Sequence, residues 1–294
     1  MKDKIMKKRT EFEGIVSKVI FPNKGIVEID GFKITVKNTI PGQKIKAVVN
    51  KKRKDRIEAR LLEVLEKSPL EGEAPCSVFG QCGGCLYQSL PYEAQLNLKE
   101  NQVKDLLEPF GIEGSYQGIT PSPLTYQYRN KMEYSFGDEF FEGPLALGLH
   151  KRGSMYDIVN ATDCHLVSED FNRIVEGALA YFSERNIPFY HKRRHEGYLR
   201  FLVVRRGVQT GELQINLVTS SQLELDLQPF ADMLNNLQLK DKIKGIIHTV
   251  NDQLSDAVKV DDLHILYGED FFYERLFDLK FKISPFSFFQ TNTL

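Results

Sequence analysis

Four cysteines are the residues whose type and spacing point most directly to chemistry. Cys76, Cys82 and Cys85 lie within ten residues, and Cys164 follows at a distance. Thiolates this close repel one another unless a cation or a cluster binds them, which disfavours a set of free thiols. A zinc site with Cys164 or His165 as fourth ligand is one interpretation, and a [4Fe–4S] cluster on all four cysteines is the other. Zinc ribbons usually pair two Cys-x2-Cys knuckles, so a triplet plus one distant cysteine favours the cluster.

The composition and the pattern of apolar residues exclude several classes of protein. No Gly-x-Gly occurs in the 294 residues, so the usual turn that cradles a nucleotide-type cofactor is missing. No apolar run approaches the roughly 18 residues that span a bilayer, and the charged start contains no apolar signal segment. A secreted disulfide framework is disfavoured by so few cysteines. The sequence therefore predicts a cytoplasmic, metal-bearing protein of two or three domains with no membrane partner.

The first 70 residues form a basic segment on an otherwise acidic chain. They carry 18 Lys and Arg against 9 Asp and Glu, whereas the remaining 224 residues carry 21 against 31. Short β-rich stretches separated by turn signals run from Gly14 to Leu65 and predict a closed, OB-like β-barrel, a common platform for single-stranded RNA. Phe12 or Phe32 would be available for stacking. The alternative is a solvated, solubilising surface. The residues predicted to follow a phosphate backbone are Lys51, Lys52, Arg53, Lys54 and Arg56.

The rest of the chain alternates helical and strand patterns, which predicts an α+β fold. Residues 126–136 alternate apolar and polar side chains as a strand does, with Arg129 and Lys131 on the polar side. Both are predicted to contact RNA because this strand carries one of the motifs quoted below. Cys164 follows the next strands, so a cluster would fasten this sheet to the cysteine loop. Helices are predicted over 92–107, 168–182 and 225–237, and further strands over 199–206, 212–219 and 243–250.

Taken together, these residues resemble a known family. With the four cysteines, the segments YRNKMEYSFG, LGLHKRGSMYDIVNATDCHL, LRFLVVRRG and SPFSFFQTN make the chain similar to bacterial RNA (uracil-5-)-methyltransferases. The resemblance implies an RNA-binding TRAM domain over 1–70, a central α+β domain with a four-cysteine iron–sulfur site over 71–280, and the start of a Rossmann-like methyltransferase domain over 281–294. It implies S-adenosylmethionine as methyl donor and 23S ribosomal RNA as substrate.

Part of the family's substrate pocket is expected near the end of the sequence. If residues 288–292 are extended, Phe288, Gln290 and Asn292 project to one side. An aromatic face and an amide suit a uracil removed from its stack. Phe288 and Gln290 match the family's base-contacting motif, with Asn292 beside it. The alternative is an edge strand with Phe288 in the core.

The sequence also departs from the family. In such enzymes a cysteine thiolate adds to C6 of uracil, and no cysteine follows Cys164. We therefore expect the Rossmann-like domain to be absent or only begun, and this chain alone to be catalytically inactive for want of the nucleophile and the methyl-donor site. The alternative is a stand-alone RNA-binding iron–sulfur or zinc protein without methyltransferase activity.

Overall fold

Residues 7–53, 56–254 and 261–294 are described in a computed structural model of the chain. Lys54, one of the predicted phosphate contacts, lies outside the described residues. The chain divides into two compact units. The first comprises Met1–Pro75 and Leu86–Pro121, and the second comprises Cys76–Cys85 and Ser122–Leu294.

The basic segment of the first unit folds into a closed barrel because its strands alternate inward apolar and outward polar side chains. Its fully buried residues include Val27, Ile34 and Ile45. Around the barrel the strand order is β1-β2-β3-β5-β4, and β3 pairs with β5 in parallel while the other pairs are antiparallel. The strands are β1 (Glu11–Ile20), β2 (Lys24–Ile29), β3 (Phe32–Lys37), β4 (Lys44–Arg53) and β5 (Arg56–Glu66).

A helix, α1 (Tyr92–Leu107), packs with the barrel in the first unit. Leu98 lies in the same apolar cluster as the barrel core, and Gln102 Nε2 donates to the Val19 carbonyl at 3.4 Å. Lys18 Nζ lies 3.0 Å from Asp105 Oδ2. The predicted central domain, 71–280, included this helix. The structure differs because the apolar side of α1 is buried against barrel residues, whereas the cysteine loop 76–85 belongs to the second unit.

The described part of the second unit is built on a seven-stranded sheet of order β12-β11-β10-β9-β6-β7-β8. Neighbouring strands are antiparallel except β10 and β11, which run parallel. The strands are β6 (Lys131–Asp138), β7 (Leu145–His150), β8 (Ile158–Asn160), β9 (Leu199–Gly207), β10 (Glu212–Thr219), β11 (Lys242–Val250) and β12 (Asp262–Gly268).

Two helices, α2 (Glu169–Glu184) and α3 (Gln228–Asn235), supply most of the buried aromatic side chains of the main core. Parallel strands need a crossover connection, and α3 lies in the one between β10 and β11. The Phe182 ring contacts Phe230 at 4.8 Å and Phe136 of β6 at 5.7 Å between centroids. None of the described helices is both long and apolar enough to cross a membrane.

Residues 261–294 belong to the second unit. A hairpin of β13 (Phe272–Leu276) and β14 (Leu279–Ile283) leads into residues 284–294, which form no strand. The buried Glu274 carboxylate accepts the backbone N–H groups of Val208 and Gln209 at 2.6 and 2.9 Å. Because the Thr293 hydroxyl donates to the same carboxylate at 3.3 Å, the hairpin and the final residues are held together.

Candidate functional site

The cysteine loop is tied to β7 by backbone hydrogen bonds within the second unit. The Gly83 N–H donates to the His150 carbonyl at 2.9 Å, and the Cys82 N–H donates to the Val78 carbonyl at 3.0 Å. A Cβ atom at Gly83 would meet the His150 carbonyl oxygen at 2.9 Å, so a larger residue would push the loop away from the strand. The loop glycine therefore lets Cys82 and Cys85 approach the sheet.

The fourth cysteine lies after β8 and faces donors to its sulfur. The Cys164 N–H donates to Asn172 Oδ1 at 3.0 Å, which joins the cysteine to α2. The N–H groups of Leu166 and Val167 donate to the Cys164 sulfur and oppose the rise in its pKa. A thiolate needs such donors, because burial alone disfavours its charge.

The four thiols are near enough for their charges to act on Cys85. Burial, first, and then the charges of Cys164, Cys82 and Cys76 raise the pKa of Cys85 to about 11, against a lowering by Arg152. Burial is also the main cause that raises the pKa of Cys164, to which Cys76 and Cys82 add. All four predicted ligands are free cysteines, and Cys85 and Cys164 each lie within electrostatic reach of the other predicted ligands. Four thiolates in one place require a compensating positive group.

A single metal ion and an iron–sulfur cluster would require different spacings of the four cysteine sulfurs. No group of three or more His, Cys, Asp or Glu side chains in the described ranges is placed to hold one metal ion. His165, the alternative zinc ligand, has its Nε2 atom 3.8 Å from Asp163, and its ring packs edge-on against Tyr126. Zinc would draw four sulfurs to about 2.3 Å from one centre. A cluster of several iron and sulfide ions is larger than one zinc ion, so the four cysteine sulfurs can bind it while lying farther apart.

Two polar groups near the cysteines lack hydrogen-bond partners in the described part of the chain. The Tyr134 hydroxyl is fully buried, and burial together with the Cys164 charge raises the Tyr134 pKa. Arg152 donates to the Cys85 carbonyl at 2.5 Å, while its Nε is buried and unpaired. Buried donors normally have acceptors, and the sulfur atoms of an iron–sulfur cluster would supply them. The donor set therefore fits a cluster.

The residues predicted to contact a base do not lie on an extended strand, which is the conformation that we considered for residues 288–292. Phe288 is 85% exposed, which excludes the interpretation of Phe288 as a core residue. Gln290 is exposed, and its side-chain amide makes no hydrogen bond to the described residues. Asn292 is partly buried: its Nδ2 lies 3.4 Å from Ser122 Oγ, and its Oδ1 accepts the Leu294 N–H. Phe288 and Gln290 are thus available to a ligand, while Asn292 is engaged within the chain.

Sequence reasoning missed the two residues that hold this segment. Arg205 of β9 is 3% exposed, and its guanidinium donates to three backbone carbonyls between residues 284 and 287. Asn130, just before β6, donates to the carbonyls of Gln290 and Thr291. The available signal was weak: Arg205 is one of three arginines within the predicted strand 199–206, and nothing in the sequence indicates that residues 284–287 fold back over β9.

The other predicted RNA contacts lie in two places. Arg129 Nε donates to the Lys131 carbonyl at 2.8 Å, and Lys131 Nζ lies 3.9 Å from Glu133. In the first unit, Lys51, Lys52, Arg53 and Arg56 are exposed where β4 and β5 meet. Lys52 Nζ lies 5.6 Å from the Phe32 ring centroid. Phe12 is buried in the barrel core and is not available for stacking.

Curated relatives match nearly the whole chain. An uncharacterized RNA methyltransferase of Clostridium tetani is 44% identical over 289 residues, which are 98% of this chain and 63% of that protein. Another, from Caldanaerobacter subterraneus, is 45% identical over 279 residues, which are 95% of this chain and 62% of that protein. The chain therefore spans less than two thirds of the length of these relatives. No protein-family model matches it.

The fold is similar to that of a solved methyltransferase. The tRNA (uracil-54, C5)-methyltransferase of Pyrococcus abyssi, crystallised with S-adenosyl-L-homocysteine, matches with a TM-score of 0.71 and 26% sequence identity. The match covers 96% of this chain and 61% of that one.

These matches correct the expectations that we drew from where the sequence ends. We expected the Rossmann-like domain to be absent or only begun. We also expected the chain to be a catalytically inactive part of a methyltransferase or, alternatively, a stand-alone RNA-binding metal protein. These expectations are wrong, because 98% of the chain aligns with an RNA methyltransferase and 96% matches one solved with the demethylated methyl donor. A Gly-x-Gly turn is only one way to bring backbone close to a cofactor, so its absence excludes no methyl donor. By sequence this chain is similar to proteins named RNA methyltransferases, and by fold it is similar to a tRNA (uracil-54, C5)-methyltransferase.

Proposed function

We propose that the protein transfers a methyl group from S-adenosylmethionine to C5 of a uridine in RNA. The observation that carries the proposal is the pair Phe288 and Gln290, which are exposed on a segment held by buried side chains. The relatives named RNA methyltransferases and the solved uracil-C5 enzyme support the same reaction. S-adenosylmethionine supplies the electrophilic methyl group when it is bound.

In this proposal Phe288 and Gln290 recognise the target base. The exposed ring of Phe288 offers a face on which a uracil removed from its stack can lie. Gln290 carries both a donor and an acceptor on its amide, which suits the N3–H and O4 edge of uracil. Cytosine presents the opposite pattern there, so the same amide orientation discriminates against it. Asn292 would support the segment rather than touch the base, since its amide is engaged with Ser122 and Leu294.

The barrel is proposed to be a TRAM domain that binds the RNA backbone. Lys51, Arg53 and Arg56 are exposed at one end of the β4–β5 pair, and Lys52 lies over Phe32 beside them. Cations beside an aromatic ring suit a single strand, whose phosphates and bases alternate. Arg129 and Lys131 would extend the contact in the second unit. Both already contact neighbouring protein groups, so we expect them to contribute less than the barrel residues.

A [4Fe–4S] cluster on Cys76, Cys82, Cys85 and Cys164 is part of the proposal. Support comes from the effect of the neighbouring thiols on the pKa values of Cys85 and Cys164, from the N–H donors to the Cys164 sulfur and from the Tyr134 hydroxyl, which has no partner among the described residues. Four cysteine ligands leave no iron open to a substrate. The cluster would therefore join the loop to the sheet rather than take part in methyl transfer.

Metal analysis of anaerobically prepared protein tests the cluster. Iron and sulfide at about four atoms each per chain, with loss of both in Cys164→Ser, are the expected results. Zinc without iron or sulfide would contradict the cluster and restore the zinc interpretation.

Methyl transfer with isotopically labelled S-adenosylmethionine tests the reaction. We propose 23S ribosomal RNA as substrate, and transfer RNA is the second candidate because the solved neighbour is named for it. Unmodified transcripts of both would be incubated with the protein, digested and separated as nucleosides. Label in 5-methyluridine from 23S RNA is expected. Label from transfer RNA alone would change the substrate, and label in another nucleoside would overturn the reaction.

A further inference from the structure

Arg205 is a buried cation whose hydrogen-bond acceptors are backbone carbonyls. Its guanidinium donates to Ser284 at 2.7 Å, to Pro285 at 2.9 Å and to Ser287 at 2.9 Å. It forms no ion pair with any described residue, and the Phe272 ring lies 5.5 Å from its central carbon. Burial lowers the pKa of Arg205 to about 10, which leaves it charged at neutral pH.

Asn130 holds the same segment at its other end. Its backbone N–H donates to the Thr291 carbonyl at 2.9 Å, and its Nδ2 donates to the Gln290 carbonyl at 3.0 Å. Asn130 is itself fixed to β9, because its carbonyl accepts the Arg206 N–H at 2.8 Å. The two holding residues are therefore joined through one strand, and Asn130 is 5% exposed.

The segment between these points has no strand or helix to order it. Residues 284–291 make a turn and then run irregularly, with the Ser287 N–H donating to the Ser284 carbonyl at 3.2 Å. Phe288 at 85% exposure obtains little order from packing. Fixing each backbone residue costs roughly 1–2 kcal/mol of conformational entropy, so an exposed irregular segment needs external hydrogen bonds to keep one shape.

A guanidinium suits this task better than an ammonium. The three carbonyls belong to residues spread over four positions, and the rigid fork of arginine presents five N–H donors in one plane. Lysine offers three donors at a single point and cannot reproduce that spread. The acceptors of Arg205 are all backbone groups of the segment. Its interactions therefore set backbone shape rather than bind an acidic partner.

We propose that Arg205 and Asn130 are positioning residues that hold residues 284–291 in the shape that presents Phe288 and Gln290 to one uracil. The inference rests on the proposed function, because it takes Phe288 and Gln290 as the residues that contact the base. Neither Arg205 nor Asn130 needs to touch RNA. Their effect on recognition passes through the backbone that they hold.

The first measurement needs no RNA. Backbone order parameters of residues 286–290 would be compared by NMR in the parent chain, Arg205→Lys and Arg205→Gln. We expect values near 0.85 in the parent and below about 0.6 in both variants. Arg206→Gln is the matched control, because Arg206 is adjacent on β9 but pairs with Asp241. Unchanged order in Arg205→Lys, or equal loss in Arg206→Gln, overturns the inference.

The second measurement links order to recognition. The chain contains no tryptophan, so Phe288→Trp introduces a single indole, which can be excited selectively, at the proposed stacking position. Quenching of its indole would be titrated with short oligouridylate and oligocytidylate. We expect at least about a fivefold preference for oligouridylate, reduced to near onefold when Arg205→Lys is added.

The outcomes separate the inference from the proposed function. If order is lost in Arg205→Lys but the uridine preference persists, the positioning role is wrong and base reading stands. If Phe288→Trp shows no preference between the two oligonucleotides, base reading by this segment is wrong, whatever the order parameters show. If Arg205→Gln does not fold, Arg205→Lys and Asn130→Ala carry the same comparison.

Discussion

At the scale of single residues, the side chains that matter are those whose polar groups find no partner among the described residues. The Gln290 amide faces solvent without a hydrogen bond to the described residues, whereas the Asn292 amide is engaged. A free amide beside an exposed aromatic ring is available for a ligand. Recognition is therefore expected to depend on Gln290 more than on Asn292.

Replacing Gln290 by alanine tests this ranking. We expect Gln290→Ala to lose about 1 kcal/mol of discrimination between uridine and cytidine, roughly fivefold, because one hydrogen-bonding edge disappears. Competition binding with matched RNAs would measure it. Gln238→Ala removes an exposed amide elsewhere in the same unit and serves as control. A Gln290→Ala variant that discriminates as well as the parent would contradict the base-reading role.

Tyr134 gives a second prediction at this scale. Its buried hydroxyl lacks a partner in the described residues, and an unsatisfied buried hydroxyl costs about 1–3 kcal/mol. Without metal, Tyr134→Phe should therefore leave the free energy of unfolding unchanged or raise it by about 1 kcal/mol. With the proposed cluster in place, the same change should hasten its loss, because a donor to sulfur disappears.

Urea unfolding of the metal-free protein and the decay of visible absorbance in air measure the two effects. Tyr181→Phe, in the same core, is the control. Equal rates of cluster decay in the parent and Tyr134→Phe would show that the hydroxyl does not donate to the cluster.

At the scale of elements, the β11–β12 pair contains a titrating contact. His248 of β11 lies opposite His264 of β12, with ring centroids 5.7 Å apart, and its Nε2 lies 2.8 Å from Thr219 Oγ1. Burial, together with the charge of His264, lowers the pKa of His248 to about 4, against an opposing effect of Asp262. Tyr198 faces the same ring from the β9 side.

The lowered pKa makes stability depend on pH in a defined direction. An unfolded histidine titrates near pH 6.5, so between about pH 6.5 and 4 the unfolded chain binds more protons than the folded one. The contribution of neutral His248 is complete above that window and is lost as pH falls through it. We expect about 2 kcal/mol to be lost between pH 7 and 4.5, allowing for partial exposure of the ring.

Substituting glutamine for His248 isolates that contribution. His248→Gln keeps a hydrogen-bonding group near Thr219 but cannot titrate. Its free energy of unfolding in urea should therefore fall less than the parent's between the two pH values. His195→Gln, on an exposed loop, is the control. If the parent and His248→Gln lose stability equally, the pH dependence comes from other groups.

The spacing of apolar residues predicted most helices and strands, because it reflects which side of each element is buried. The patterns gave α1 over 92–107 and a strand over 212–219, and the structure has Tyr92–Leu107 and Glu212–Thr219. Residues 126–130 were wrongly included in a strand, because Gln127 and Arg129 bond to the backbone at 165–166 instead of a sheet neighbour. Such contacts between distant residues leave no periodic trace in a sequence.

The cysteine site remains a prediction from residue type. Four cysteines indicate a shared site whatever the backbone does, and in the structure the charges of the other three act on the pKa of Cys85. The hold of Arg205 on residues 284–287 was not predictable, because it depends on backbone carbonyls that every residue carries. We considered an extended strand for Phe288. The segment forms no strand, because its backbone carbonyls bond to side chains such as Asn130, and Phe288 is exposed.

At the scale of the whole molecule, charge is segregated along the chain. The basic excess lies within the first 70 residues, and the remaining residues carry an acidic excess. A uniform surface effect would distribute affinity for RNA over every exposed cation. A dedicated barrel surface would concentrate it at the β4–β5 end instead, where Lys51, Arg53 and Arg56 are exposed.

The salt dependence of RNA binding distinguishes these two cases. Each phosphate contact on a single strand contributes about 0.7 to the slope of log K against log salt concentration, so Lys51→Gln with Arg53→Gln should reduce the slope by about 1.4. The loss should be the same for RNAs of different sequence, since phosphates carry no sequence information. Lys99→Gln with Lys104→Gln removes two cations from α1 in the same unit and should leave the slope nearly unchanged. Equal slopes for the two double variants would mean that the basic segment acts only through its net charge, and the barrel surface would then have no dedicated role in binding.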